Sequence, residues 1–474
     1  MSFRLYDEQR LGLVEFEPIV PGEVSIYHCG LTVQAAPHLG HMRKEVVFDV
    51  LRRWFVASGY KVRIVSNVTD INDKIEKKAA EAGIEWFELA FAVELELHQA
   101  YMSLGVAPPN YQPRASQHIT EQIALVEQII ANGHGYAADD GTGDVYFDVK
   151  SWPSYGELTH LKLSEMRDDD EADSRGKRDP RDFALWKGRK DGDPESATWP
   201  SPWGPGRPGW HLECSAMALK YLGAAFDIHG GGLDLRFPHH ENELAQSRAA
   251  GHPFATYWMH NAFVTTGADK MSKSLGNTTT VGDVTAKYPA RAVRLFLVAP
   301  HYRSLVELSM GEGEDGYDSL VETAAQLKRI DSFLDRAGAT GPVEFDFADL
   351  PAEFVAAMDD DLGTPAAVAA IFDAVKAGNK ALDVQDAAGA QVALRAVRAM
   401  LHVLGLDPYD PEWQQTGGAD LEPVVAGLVP LLLDQRSAAK ANKDWATADA
   451  IRDRLIELGI KIEDSAESTK WSLA

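Results

Sequence analysis

The sequence predicts an α/β fold: a Rossmann-like parallel-sheet domain carrying an insertion, followed by an all-helical C-terminal region. Three observations predict it. The first third alternates strand and helix patterns. The middle interrupts that alternation with a hairpin signal, a charged stretch and a segment dense in proline and glycine, and then resumes it. From Gly311 onward the apolar spacing is almost purely helical.

Residues 24–29 read as a strand, and a loop holding Pro37 and Gly40 follows. Residues 42–58 place Val46, Val47, Val50, Leu51, Trp54 and Phe55 at helical spacing, and 61–68 alternate as a second strand. Strand–loop–helix–strand units build parallel sheets with ligands at the carboxyl ends of the strands. Helices are predicted over 86–104 and 119–131. The Asp139-Asp140-Gly141 turn inside 138–148 signals a hairpin. Residues 167–182, poor in apolar side chains and rich in aspartate, predict a solvated loop. With the Pro/Gly-dense stretch 199–209 they mark an insertion over about 117–205. The α/β pattern returns from Trp210 to about Val298. Amphipathic helices are then predicted over 321–334, 365–382, 391–404 and 444–458, with Thr364 as N-cap ahead of Pro365. Residues 459–474 read as a short ordered tail.

Composition excludes several classes. Apolar residues make up 45% and charged residues 25%, an ordinary globular balance that rules out a wholly disordered chain. The longest apolar run, 424–433, is broken by Gly427 and Pro430 and is too short to span a bilayer. Residues 1–10 carry Asp7 and Glu8 and no apolar core, so no signal peptide is expected. Two cysteines in 474 residues exclude a disulfide framework and predict a reducing, cytoplasmic setting. With 46 basic and 71 acidic residues, a formal −25, the average surface disfavours nucleic acid, although a local basic groove remains compatible. Arg436, Lys440, Lys443, Arg452, Arg454, Lys461 and Lys470 make the C-terminal end locally richer in cations, each being equally able to balance a neighbouring acid.

Three constellations carry chemistry. Pro37-His38-Leu39-Gly40-His41 lies between the first strand and its helix, where glycine allows close backbone approach and the helix N-terminus favours anions. Two imidazoles there could donate to a polyphosphate; taken alone, the same letters fit a turn that happens to hold histidines. Lys270-Met271-Ser272-Lys273-Ser274 offers two ammonium groups spaced for phosphate contact. Cys29, Cys214, His239 and Glu243 form the third set. Pro238 suits a helix start, which puts His239 and Glu243 on one face at i and i+4. Two thiols, an imidazole and a carboxylate are a plausible zinc set, and equally each cysteine singly fits a buried core position.

In this order and about 230 residues apart, the first two motifs resemble the paired signatures of class I aminoacyl-tRNA synthetases. The segments 27–33, 67–74, 182–187, 229–243, 358–365, 448–453 and 459–464 are similar to the cysteinyl-tRNA synthetase family, collinearly and over nearly the whole chain. The resemblance implies one Zn2+ on Cys29, Cys214, His239 and Glu243. It implies ATP contacts from His38, Gly40 and His41, and phosphate contacts from Lys270 and Lys273, with Mg2+ accompanying ATP. Cys29, Gly30, Thr69, Trp210, His229 and Asp234 match positions around the substrate cysteine and the adenylate. The implied partners are ATP, L-cysteine and tRNA(Cys), acting on a monomer with no membrane association. The implied organisation is a catalytic domain at 1–116 and 206–265, a connective insertion at 117–205, and a region at 266–315 holding the KMSKS loop and a stem contact. A helical bundle at 316–405 and an anticodon-binding domain at 406–474 complete it. Departures from the commoner family residues occur at Leu31, Leu39, Asn72, Ala262, Gly363 and Ser468, none of them a side chain assigned to chemistry.

Such a metal would serve selection. Apolar packing separates cysteine from serine or alanine only weakly, whereas zinc prefers a thiolate to a hydroxyl. Two other readings share parts of this pattern. A paralogous cysteine–aminosugar ligase of mycothiol assembly would keep the zinc set and both ATP motifs but largely lack the C-terminal helices. A non-catalytic tRNA-binding or cysteine-sensing module would have no need of intact ATP motifs. Trp54, Trp152 and Trp258 are expected to pack, and His28, His211 and His240 to flank the ligand set or lie at the surface.

Overall fold

A computed structural model describes residues 3–163, 176–267, 269–270, 278–311, 316–414, 422–464 and 469–473. Four parallel strands form its central sheet, in the order Phe254–Asn261, Ala225–Gly232, Glu23–Thr32, Lys61–Thr69. The Glu23–Thr32 strand alternates its partners, as a two-residue period requires. Val24 and Ile26 join the core under the helix Leu39–Ala57, while Tyr27 and Cys29 join the core under the helix Trp210–Leu222. Its two neighbours come from chain segments on opposite sides of the insertion. The topological switch therefore falls at its carboxyl end, the usual place for a ligand crevice in an open parallel sheet.

The helix Leu39–Ala57 also buries charge. Asp49 accepts from Arg294 at 2.6 Å, Arg52 at 2.7 Å and Arg53 at 2.8 Å. Arg294 is fully buried and donates to the carbonyls of Leu404, Leu104 and Gly105. One carboxylate thus ties the helix after the first strand to the helical region that follows the sheet.

The insertion is a four-stranded antiparallel sheet, Gly135–Ala137, Val145–Phe147, Phe183–Gly188 and Gly206–Pro208, packed on the helix Ile119–Ala131 through Val126, Ile129, Val145, Phe147 and Leu185. The predicted solvated loop is corrected at its end. Asp182 is buried and accepts from the Tyr136 hydroxyl at 2.5 Å and the Val149 N–H at 3.0 Å, and Asp179 is clamped by Arg181. Residues 167–175 of that stretch lie outside the described residues.

Helices Asp318–Arg336, Ala352–Asp359, Thr364–Asp383 and Ala387–Leu404 follow. Gly363, not Thr364, occupies the N-cap; Thr364 is the first helical residue and its hydroxyl donates to the Pro300 carbonyl. Residues 1–413 form one unit and 414–474 a second. The second unit holds the helices Glu422–Ala441 and Trp445–Glu457, then an antiparallel pair, Ile460–Asp464 with Thr469–Leu473, where the sequence read as a short ordered tail. Its core is Val429, Leu433, Leu455 and Ile460.

Candidate active site

Cys29 sits near the end of the first sheet strand, Cys214 on the helix that covers it, and His239 and Glu243 at the entry to the helix Glu241–Ala249. Three segments far apart in the chain bring these four groups together, and all four are buried. Cys29 Sγ lies 3.5 Å from Cys214 Sγ and 3.2 Å from Glu243 Oε1, and His239 Nε2 lies 3.1 Å from the same oxygen. One ligand atom from each residue fits within 4.8 Å of all the others. The expected i,i+4 pairing of His239 and Glu243 is therefore present. A second, overlapping set of four, Cys29, His229, His240 and Glu243, satisfies the same spacing.

Each donor is held from behind. His239 Nδ1 lies 2.8 Å from His211 Nδ1, which leaves Nε2 facing the cluster. Glu243 Oε2 lies 2.8 Å from His229 Nε2, and the His229 ring stacks on Trp258. His240 pairs with His260 at 2.7 Å. Outer partners of this kind orient metal ligands and fix their tautomers. Burial pushes the Cys29 and Cys214 thiols above their ordinary range and His239 well below its own. Neutral imidazole is the ligating form, and the thiols must surrender their protons to a metal. Two sulfurs, a nitrogen and an oxygen in a dry, closely spaced set suit zinc better than the hard, oxygen-preferring cations.

The other residues named for the substrate lie around this cluster unevenly. Thr69, at the end of the neighbouring strand, donates to Glu213 Oε2 at 3.0 Å. Trp210 is half-buried with its ring 4.3 Å from that of His239. His229 is fully buried against Glu243. Asp234 is exposed, in the turn after the third strand. Gly30 leaves no room for a side chain, because an added Cβ would meet the Asn67 carbonyl oxygen at 1.5 Å. His28 and His240 prove buried, not superficial, and His211 half-buried; Trp54 and Trp258 pack as expected.

His38 precedes the helix Leu39–Ala57, and its ring stacks on that of His41 with centroids 3.6 Å apart. A Cβ on Gly40 would meet the His38 ring at 2.9 Å, so glycine is required for this stacking. The Leu39 N–H donates to the Thr279 carbonyl, so the chain returns to this turn just beyond the lysine-rich motif. Lys270 belongs to a two-residue strand paired with Thr265, and Met271 to Asn277, Lys273 among them, lie outside the described residues. In the C-terminal unit Arg436 is buried and Arg452 pairs with Asp449 and Asp453, which removes both from the freely offered cations. The side chains of Lys461 and Lys470 lie outside the described residues.

Sequence reasoning gave no role to Asn67, Tyr27, Lys44, Glu213 or His260, all buried at or beside the cluster. For Asn67 a signal existed: it shares a strand face with Thr69 at a spacing of two.

A parallel sheet with ligand donors at its carboxyl ends and a histidine–glycine turn at its first helix places the chain among the class I tRNA synthetases. Residues 15–314 match the family model described as tRNA synthetases class I (C) catalytic domain. The fold agrees with a solved Mycobacterium tuberculosis methionyl-tRNA synthetase in complex with methionyl-adenylate. That likeness has a TM-score of 0.57 and 16% identity, covering 82% of this chain and 92% of that one. Residues 353–406 match a DALR domain and 429–471 the cysteinyl-tRNA ligase anticodon binding domain. The chain is 59% identical to the cysteine–tRNA ligase of Cutibacterium acnes, over 100% of this chain and 97% of that protein. It is 56% identical to that of a Nocardioides species, over 100% of both. This chain belongs to the cysteinyl-tRNA synthetase family and is a ligase of that class. The matched anticodon-binding segment disfavours the aminosugar-ligase alternative, and the catalytic-domain match disfavours a non-catalytic module.

Proposed function

We propose that this family member joins ATP and L-cysteine into cysteinyl-adenylate with release of pyrophosphate, then passes the cysteinyl group to the 3′ end of tRNA(Cys). The observation that carries the reading is the convergence of Cys29, Cys214, His239 and Glu243 at the carboxyl end of the first strand, on the same element that leads into the His38–His41 turn. In this reading the four side chains hold one zinc ion, which supplies a Lewis-acidic position preferring a thiolate to a hydroxyl. Around it, Gly30 admits the substrate backbone, Thr69 and Trp210 line the side-chain end, and His229 braces Glu243. Asp234 lies toward the adenylate.

His38, Gly40 and His41 would meet the ATP phosphates at the helix N-terminus, accompanied by Mg2+. Lys270 and Lys273 would neutralise charge developing on the leaving pyrophosphate. No side chain need form a covalent intermediate, because positioning and charge stabilisation suffice. The domain roles follow: catalysis at 1–116 and 206–265, a connective insertion at 117–205, the KMSKS loop and stem contact at 266–315, a helical bundle at 316–405 and anticodon recognition at 406–474. A monomer in the cytoplasm completes the reading. Among the described residues no helix is long and apolar enough to cross a membrane.

Three measurements on one preparation test it: zinc content, cysteine-dependent exchange of pyrophosphate into ATP, and charging of tRNA(Cys). About one zinc per chain, exchange with cysteine in preference to serine, and charging are the expected results. A metal-free protein of full activity would refute the selection role. Exchange without charging would return the C-terminal assignment to question.

A further inference from the structure

The pairing between the strands Glu23–Thr32 and Lys61–Thr69 breaks at the donor cluster: register is regular through His28 and resumes only at Leu31. The peptide inside the break joins Cys29 to Gly30, and side chains grip it at both ends. Asn67 Oδ1 accepts from the Gly30 N–H at 2.8 Å, and the Lys44 ammonium donates to the Cys29 carbonyl. Asn67 does more. Cys214 Sγ reaches the same Oδ1 at 3.5 Å, and Asn67 Nδ2 donates to Thr69 Oγ1 at 3.2 Å. Thr69 in turn donates to Glu213, the residue before Cys214. Asn67, Thr69, Glu213 and Cys214 are all buried, so water cannot replace these contacts.

We propose that Asn67 is the positioning residue that sets the Cys29 sulfur for the metal and ties that setting to the Thr69 wall of the amino-acid site. The inference rests on the zinc reading above. Its physical basis is the broken ladder. Gly30 is half-buried, and if its N–H lost this acceptor the Cys29–Gly30 peptide would rotate to find another. Rotation of that peptide swings the Cα–Cβ bond of Cys29, and metal ligation tolerates displacements of only about 0.2 Å. The carboxamide supplies what the ladder lacks at this point. Its amide end carries the same constraint to Thr69. Lys44 secures the opposite end of the same peptide, so the two side chains act on one rotation.

The test uses the full chain, stripped with a chelator and titrated with cobalt(II) as the probe. Wild-type protein is expected to take up about one cobalt per chain with a thiolate-to-cobalt charge-transfer band. Asn67→Ala is expected to weaken cobalt binding by roughly tenfold to a hundredfold, as loss of an outer partner does, and to shift the charge-transfer and d–d bands. Lys44→Met, which releases the carbonyl end, should shift the same bands in the same direction by less, and it decides the matter if Asn67→Ala fails to fold. A merely structural role would lower the melting temperature of the stripped protein and leave affinity and spectrum alone. Unchanged cobalt affinity and spectrum in the variants, against a wild type that shows both, overturns the positioning role only. A wild type without the thiolate band overturns the metal reading and this inference with it.

Discussion

The donor cluster and the C-terminal unit are built on opposite terms. At the cluster, Cys29, Cys214, His229, His239 and Glu243 are almost wholly buried; buried polar partners hold Cys214, His229 and Glu243, and half-buried His211 holds His239. Among the described residues of the C-terminal unit, the core is a small apolar cluster around Val429, Leu433, Leu455 and Ile460, and Leu431, Trp445 and Leu458 are more than half exposed. A site that must separate one heavy atom from another needs fixed donors, because selectivity resides in geometry and ligand type. A surface that reads a large flexible partner works with a small core and open faces. The difference teaches that closely held polar groups are concentrated at the sheet, while the described core of the C-terminal unit is small and apolar.

The largest expected effect sharpens the first half of that contrast. Cys214→Ala removes a proposed ligand, and both metal content and cysteine-dependent exchange should fall by more than the roughly hundredfold that loss of an outer partner costs. Full zinc retention in that variant would mean that the His229 and His240 set holds the ion. A chain ending at Trp413, the boundary between the two units, tests the other half. Exchange should persist while charging of tRNA is lost, and charging at the full-length rate would break the contrast outright.

The third effect is on stability within the first unit. Asp49 is buried among Arg294, Arg52 and Arg53; burial alone would raise its carboxyl, but the guanidiniums outweigh that and hold it well below the usual range. Asp49→Asn leaves buried charge uncompensated and should cost about 3–5 kcal/mol in denaturant unfolding. The sign with pH follows from the lowered pKa. The carboxylate's contribution is complete above its unfolded value, about 3.9, and is lost as pH falls below it. The wild type should therefore converge on the Asn variant in acid. The smallest effect falls on the C-terminal unit. Leu455→Ala should cost about 2–4 kcal/mol, enough to melt this small core early while the exchange reaction continues at its normal rate.

Much of this was legible in advance, and the misses have physical causes. Period and punctuation revealed the Glu23–Thr32 and Lys61–Thr69 strands and the long helices, since their apolar residues recur at strand or helix spacing between turn signals. The four proposed donors were legible through the family resemblance, since the residues alone fitted a buried core equally well. Lys44 was not, and Asn67 showed only its shared strand face with Thr69, because an amide that replaces a ladder hydrogen bond is visible only once the ladder is seen to break. Asp182 was misread for a related reason: an aspartate inside a charged run looks solvated until the Tyr136 hydroxyl and the Val149 N–H are found pointing at it.

The central strand has one consequence for how the chain is made. Its first neighbour, Lys61–Thr69, follows closely, but its second, Ala225–Gly232, lies about two hundred residues downstream, as the separation of 202 between Ser25 and Asp227 shows. At a synthesis rate of about 5–20 residues per second, that neighbour leaves the ribosome roughly 10–40 s after the strand it must join. For that interval the nascent amino-terminal half presents an unpaired edge carrying Ile26 and Tyr27, with Cys29 still apart from Cys214. In the antiparallel insertion, paired strands are consecutive in sequence, and its first pair, Gly135–Ala137 with Val145–Phe147, can close during the wait. The proposed ligand set is complete only when Glu243 has emerged, about halfway through the chain, and until then the edge is the point at which a growing chain is most open to chaperones and to mispairing.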